Sequence, residues 1–200
     1  MQLLGLFRYR RQEVLQKVNW CCKKLIFADS DLVLRFLAMR CLQCEGPVVE
    51  GECLDCDNGE AGRDDNHLHD LAGSEDLDQL KLTEKCQAQT LYRHHEALAR
   101  LRDKIAMLEV DRGQYGEAVR MLRLGVEYTT VRYGEDSIEL GHELLKLSDV
   151  MLARLQEEGG DQRDLVTVLS QALTIFRTHH GKDSVNCKEI NQKLEFFASK

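Results

Sequence analysis

Proline is almost absent from this chain. Pro47 is the single one in 200 residues, and a chain with so few helix breakers is free to run in long helices. Long apolar runs are missing too, since no stretch approaches the roughly 20 apolar residues that a membrane-spanning helix needs. The first such run, MQLLGLF, is short, and Arg8, Arg10 and Arg11 follow it rather than precede it, the wrong order for a secretory signal. These absences lead to an expectation of no membrane partner and an intracellular setting. There, eight cysteines serve as thiols or metal ligands rather than as a disulfide framework.

Positive charge is scarce in the middle of the chain. Residues 1–44 hold eight Lys/Arg against three Asp/Glu, residues 45–86 three against thirteen, and residues 87–200 sixteen against eighteen. An acidic middle repels phosphate backbones, so no nucleic-acid partner is expected. The acidic stretch reads as a solvated loop, with docking of a basic partner as the alternative.

What is present in abundance is helical periodicity. Apolar residues recur at three- and four-residue spacings: Leu91, Leu98, Leu101, Ile105 and Leu108; then Val119, Leu122 and Val126; then Leu140, Leu144, Leu147, Met151 and Leu155. This spacing predicts amphipathic helices with one buried stripe each. The breaks DRGQYGEA, RYGEDS and EEGGDQRD carry turn chemistry, with Gly113 placed as a helix C-terminal cap. Two of the junctions repeat. YGEDSIEL at 133–140 and HGKDSVNC at 180–187 share Gly-x-Asp-Ser at an offset of 47 residues, aligning Gly134 with Gly181 and Ser137 with Ser184. The offset also sets Met121 opposite Val168, Leu122 opposite Leu169, Gly125 opposite Ala172 and Tyr128 opposite Ile175. Each unit reads as a helix hairpin that must stack on its neighbour to bury its apolar face, a tetratricopeptide-like array. In both copies the serine is placed to cap the next helix. Ala118 or Gly125 in one copy and Ala172 in the other are expected where helices approach closely. Such arrays hold peptides or partner proteins in a groove, or serve as scaffold; spacing leaves both open.

His94-His95, His142 and His179-His180 fall on three helical segments, and no nucleophile is paired with any of them at a recognisable spacing. No catalytic residue and no cofactor-binding residue is assigned. His142 reads as a helix-surface or groove-lining residue, and His179-His180 as cations favouring a helix C-terminus.

The chemically specific stretch is CLQCEGPVVEGECLDC at 41–56, two Cys-x-x-Cys pairs separated by eight residues. Each pair turns both sulfurs into one small space, and Cys41, Cys44, Cys53 and Cys56 together complete an S₄ set suited to a structural Zn²⁺. Gly46 supports the tight turn, and the arm is long enough to reverse direction. A redox Cys-x-x-Cys is the weaker alternative, because no strand-helix pattern of a thioredoxin-like fold flanks either pair; unliganded cysteines are the third.

The cysteine segment, the acidic stretch and above all VRYGEDSIELGHELLKLSDVML resemble the C-terminal region of the SET and MYND domain-containing protein-lysine methyltransferases. The positions that carry the likeness are Arg132, Tyr133, Gly134, Ser137, Glu139, Gly141, His142, Glu143, Leu144, Lys146 and Leu147, and it extends from about Met39 to Gly181. The resemblance implies methyl transfer from S-adenosylmethionine to lysine side chains, cytoplasmic and nuclear localisation, and histones or other lysine-bearing proteins as partners of the helical groove. The family's SET core and MYND finger are not found in the sequence. Asn66-His67 lies in the acidic stretch without the surrounding cofactor motif, so no S-adenosylmethionine site is expected. RYRRQEVLQK, Arg8 to Lys17, looks like the tail just past a SET core. Cys21-Cys22 lack the Cys-x-Cys-x-x-Cys spacing that follows there, as in a truncated or spliced product or a gene model lacking an exon.

The expected organisation is mainly α. An N-terminal helical remnant occupies 1–40, with Ser30 capping a helix over 31–39. A zinc knuckle follows at 41–56, an acidic linker at 57–76 and tetratricopeptide-like repeats at 77–198. Leu25, Ile26, Leu32, Val33, Phe36 and Leu37 form an apolar stripe that packs on the knuckle or else lies exposed. Functionally this is the partner- or substrate-gating region of a SET-MYND protein-lysine methyltransferase, inactive alone. The rival reading is a stand-alone tetratricopeptide adaptor with a structural zinc.

Overall fold

The computed structural model describes residues 30–56 and 76–198. The Arg8–Lys17 segment, Cys21-Cys22, Leu25, Ile26, Asn66-His67 and the acidic stretch up to residue 75 lie outside the described residues. Two compact units divide the chain, Met1–Leu34 and Arg35–Lys200. Of the first, the described part is the beginning of helix α1 (Ser30–Arg35).

That helix is shorter than the expected span of 31–39, and the reason is a competing backbone partner. The Phe36 and Ala38 carbonyls accept from the Glu96 and Tyr92 N–H groups at 2.8 and 3.1 Å, which draws residues 36–40 into extended pairing. Strand β1 (Met39–Arg40) results, followed by β2 (Pro47–Val49) and β3 (Glu52–Cys53) in one antiparallel sheet ordered β1-β2-β3. Met39 sits opposite Val48, and Val48 opposite Cys53. Of the expected apolar stripe, Phe36 is buried while Val33 and Leu37 are exposed.

Six longer helices follow: α2 (Leu77–Thr90), α3 (Glu96–Asp111), α4 (Tyr115–Tyr133), α5 (Ile138–Glu158), α6 (Arg163–His180) and α7 (Val185–Ala198). Each packs on the next in sequence, as stacked hairpins do. The buried stripe runs through Ile105 and Ala106 of α3, Met121 and Leu122 of α4, Leu140, Leu144 and Leu147 of α5, Leu169, Ala172 and Phe176 of α6, and Ile190 of α7. At roughly 1.5–3 kcal/mol for each large apolar side chain removed from water, this stripe is the main term holding the helices together.

The helix ends follow the repeated junction. Gly134 (φ 92°, ψ 164°) closes α4 and Gly181 (φ 79°, ψ 159°) closes α6, in a backbone region that only glycine enters without strain. Three residues later a serine caps the next helix: Ser137 Oγ accepts from the Leu140 N–H at 3.2 Å, and Ser184 Oγ from the Cys187 N–H at 3.4 Å. Asp76 does the same for α2, its carboxylate accepting from the Asp78 and Gln79 N–H groups.

The close approach expected at Gly125 is elsewhere. A β-carbon on Gly125 would meet only the Glu143 carboxylate at 3.6 Å, whereas one on Gly141 would come within 3.0 Å of Ile175 Cγ2. The tight joint therefore lies between α5 and α6, while Ala118 and Ala172 are fully buried as expected.

Candidate metal centre

The two Cys-x-x-Cys segments form facing knuckles. After Cys41 the chain turns, with the Glu45 N–H donating to the Cys41 carbonyl at 3.1 Å and the Cys41 N–H to the Gly46 carbonyl at 2.8 Å. It is Glu45, not Gly46, that takes the left-handed backbone (φ 65°). Gly46 is small for a different reason: a β-carbon there would lie 2.6 Å from the Asp55 carboxylate, so the second knuckle packs directly on the first. Strand β2 then carries the chain away, a turn at Glu50-Gly51 returns it, and β3 delivers Cys53 beside Cys44.

All four sulfurs lie within 4.8 Å of one another and none is in a disulfide. Cys44 Sγ is 3.4 Å from Cys53 Sγ, and Cys41 Sγ is 3.8 Å from Cys56 Sγ. Four sulfurs at about 2.3 Å from a tetrahedral ion stand roughly 3.8 Å apart, so the cluster has the dimensions of a four-thiolate cage. These residues are positioned to hold a metal ion.

Backbone amides tune the cage. The Cys44 and Gln43 N–H groups donate to the Cys41 sulfur and bring its thiol down to about 7, where the thiolate a metal needs is available. The Gly46 N–H, 3.4 Å from the Cys44 sulfur, likewise favours its thiolate. Sharing protons with Cys56 and Cys53 outweighs that effect and pushes Cys44 up to about 12. A cation bound there would relieve this crowding and hold all four sulfurs deprotonated.

The knuckles are fixed to the helices by main chain and by two arginines. Besides the Phe36 and Ala38 carbonyls, Met39 bridges Leu91 in antiparallel fashion, and Arg40 Nη1 donates to the Ala88 carbonyl at 3.2 Å. Arg132 of α4 stands over the Phe36 ring at 5.3 Å, with the Tyr128 and Tyr133 rings at 5.7 and 5.4 Å. Its Nη1 donates to Glu96 at 2.8 Å and also to the Tyr128 hydroxyl.

His94 and His95 do not lie on a helical segment as the sequence suggested. They are buried in the α2–α3 connection, where the His94 ring meets Tyr92 edge-on at 5.3 Å. His95 caps α3, Nδ1 accepting from the Ala97 N–H at 3.0 Å. Burial, aided for His94 by Arg93, holds both below the usual histidine range. Sequence reasoning also missed the buried Glu84–Arg102 pair at 2.8 Å, whose partners are 18 residues apart on different helices and leave no spacing signal. His142 lies edge-on to Phe176 at 5.2 Å and joins α5 to α6, and the His179 ring reaches the Asp136 carbonyl at 2.6 Å, which ties α6 to the α4–α5 turn.

A cleft of about 380 Å³ opens between α4 and α6 over Leu144 and Leu147 of α5, with Thr130 and Val131 on one wall and Asp164 paired with Arg123 across it. No family model matches the chain. The chain is 26% identical over 116 residues to the protein-lysine N-methyltransferase SMYD4 of Gallus gallus. The likeness is therefore to part of one protein-lysine N-methyltransferase. The alignment covers 56% of this chain, and this chain spans only 15% of that relative's length.

The residues that carry the SET-MYND likeness turn out to be joints. Arg132 ties α4 to α3 and to Phe36. Gly134 and Ser137 make the α4–α5 turn, Gly141 seats α5 on α6, and Leu144 and Leu147 are buried. Lys146 bridges Asp103 of α3 at 2.5 Å and Glu143 at 2.8 Å.

Proposed function

We propose that the chain is the partner- and substrate-gating region of an S-adenosylmethionine-dependent protein-lysine N-methyltransferase of the SET-MYND type, with a structural zinc held by Cys41, Cys44, Cys53 and Cys56. The observation that carries the reading is the use of the family-like residues. They support joints between helices and leave the α4–α6 cleft open between them, the arrangement of a wall that meets a substrate rather than of a centre that makes bonds. Histones and other lysine-bearing proteins are the partners in this reading; at the cleft Asp164 is paired with Arg123 and Glu127 with Arg93, and a basic segment would take the place of those arginines. Zinc is favoured over other ions because the donor set is sulfur alone, at tetrahedral spacing. The site is closed, so its role is folding.

A second reading, a stand-alone tetratricopeptide adaptor, is favoured by one observation. Residues 35–200 form one compact unit that carries its own cleft and metal centre.

Calorimetry of the purified chain with S-adenosylmethionine tests the first reading, together with fluorescence titration of lysine-bearing peptides on wild type and Val131→Glu. The expected result is no methyl-donor binding, and peptide binding that the variant loses. Methyl-donor binding or methyl transfer by the chain alone overturns the gating role. An open frame encoding a SET core upstream of Met1 in the transcript separates the methyltransferase reading from the adaptor.

A further inference from the structure

We propose that Cys44 and Cys53 form a peroxide-sensitive dithiol whose oxidation to a disulfide opens the metal centre. This rests on the zinc reading above, and it concerns how that site is regulated.

The four sulfurs are not equivalent. Cys41 is 1% exposed, whereas Cys44 is exposed and Cys53 half-buried. The Cys44 and Cys53 sulfurs approach to 3.4 Å, near enough for a small rotation of the side chains to bring them together. Cys44 precedes β2 and Cys53 ends β3, where it faces Val48 rather than Cys44, so the pair spans the two knuckles outside the strand pairing. The Cys41–Cys56 edge is longer, at 3.8 Å, and half of it is inaccessible to solvent. Of these two cross-knuckle edges, Cys44–Cys53 is thus the shorter and the more accessible.

The chemistry balances with a hydroperoxide as oxidant. One sulfur of the pair attacks the terminal peroxide oxygen, the O–O bond breaks, and a sulfenic acid and an alcohol (water, for hydrogen peroxide) result. The second sulfur then attacks the first; the S–S bond forms, the S–O bond breaks, and the oxygen leaves as water. The zinc-bound sulfurs are thiolates, so the two protons that complete the alcohol and the water come from solvent; two thiolates lose two electrons and the peroxide gains them. Cys41 and Cys56 then remain as two ligands, too few for a closed zinc site.

The test uses the full chain with Cys21, Cys22 and Cys86 changed to Ser, so that competing thiols are removed. Zinc content is measured first, then hydrogen peroxide is titrated. A dye reports released zinc, and peptide mass mapping after alkylation reports the crosslink. The expected result is a dominant Cys44–Cys53 disulfide, one zinc lost per disulfide, and recovery with dithiothreitol and zinc. Cys56→Ser retains the same crosslink. A dominant Cys41–Cys44 or Cys53–Cys56 disulfide, sulfinic acid without a crosslink, or zinc retained after the disulfide forms overturns the proposal. Reduced protein that binds no zinc sinks the zinc reading instead, and the disulfide map then decides the dithiol by itself.

Discussion

The Arg132 guanidinium lies 5.3 Å from the centre of the Phe36 ring, across 96 residues of sequence. Phe36 belongs to the segment that enters the metal knuckle and Arg132 to the last turn of α4, so one cation joins the two halves of the unit. Glu96, at 2.8 Å, neutralises it, and Tyr128 meets Phe36 edge-on with centroids 5.8 Å apart.

Replacing Arg132 is expected to cost on the order of 1–3 kcal/mol, from the lost ion pair, the ring contacts and the stranded Glu96. Lysine does not rescue, because a point charge cannot both stack on the rings and reach Glu96 with a planar fork. Urea denaturation of R132A and R132K measures the loss. Hydrogen exchange is expected to locate it at residues 36–40.

Two glycines in neighbouring helices are expected to respond in opposite ways. Gly125→Ala should stabilise by about 0.5–1 kcal/mol, the usual gain from replacing a helical glycine, because its new methyl has ordinary clearance. Gly141→Val should destabilise by about 1–3 kcal/mol through overpacking against the buried Ile175 and Phe176. Thermal melts of the two variants decide. A neutral G141V would remove the tight α5–α6 joint.

Metal removal is expected to unfold the knuckle and spare the array. Chelation, or Cys41→Ser, should leave far-UV circular dichroism nearly unchanged while amide protection at 39–53 collapses. Binding displaces protons from the thiols, so affinity falls on acidification, most steeply once the pH drops below about 7, where Cys41 itself protonates. Chelator competition at pH 8, 7 and 6 reads the slope.

Acid sensitivity should also arise at the α2–α3 connection. Burial holds His94 and His95 below 6.5, their unfolded value, against the weaker opposing pull of Glu127 on His94 and of the Leu37 backbone and Glu96 on His95. Between the folded values and 6.5 the unfolded chain binds more protons, so stability rises with pH through that window and is complete above it. Stability is lost as pH falls, because a proton on His95 Nδ1 also cancels the α3 cap. Denaturation midpoints from pH 5 to 8 should show this slope, and His94→Gln should flatten it.

The helices and the cysteine set were legible because each is written in local spacing. Periodicity marks the buried stripe, Gly-x-Asp-Ser marks the joints, and Cys-x-x-Cys is a turn with a fixed geometry. What was hidden depends on partners distant in sequence. Helix α1 stops at Arg35 because Tyr92 and Glu96 offer main-chain donors to residues 36–38. His94 and His95 are buried because that segment covers them. Gly46 is small because of Asp55, whose facing position depends on how the two knuckles fold together, and the close approach belongs to Gly141 because of Ile175 on the next helix.

The ladder between residues 36–39 and 91–96 has a consequence for how such a chain drifts. Because main-chain atoms make that seam, most side chains around the knuckle can be exchanged without undocking it. Its outward surface is then the part of the molecule most at liberty to acquire new contacts as lineages diverge.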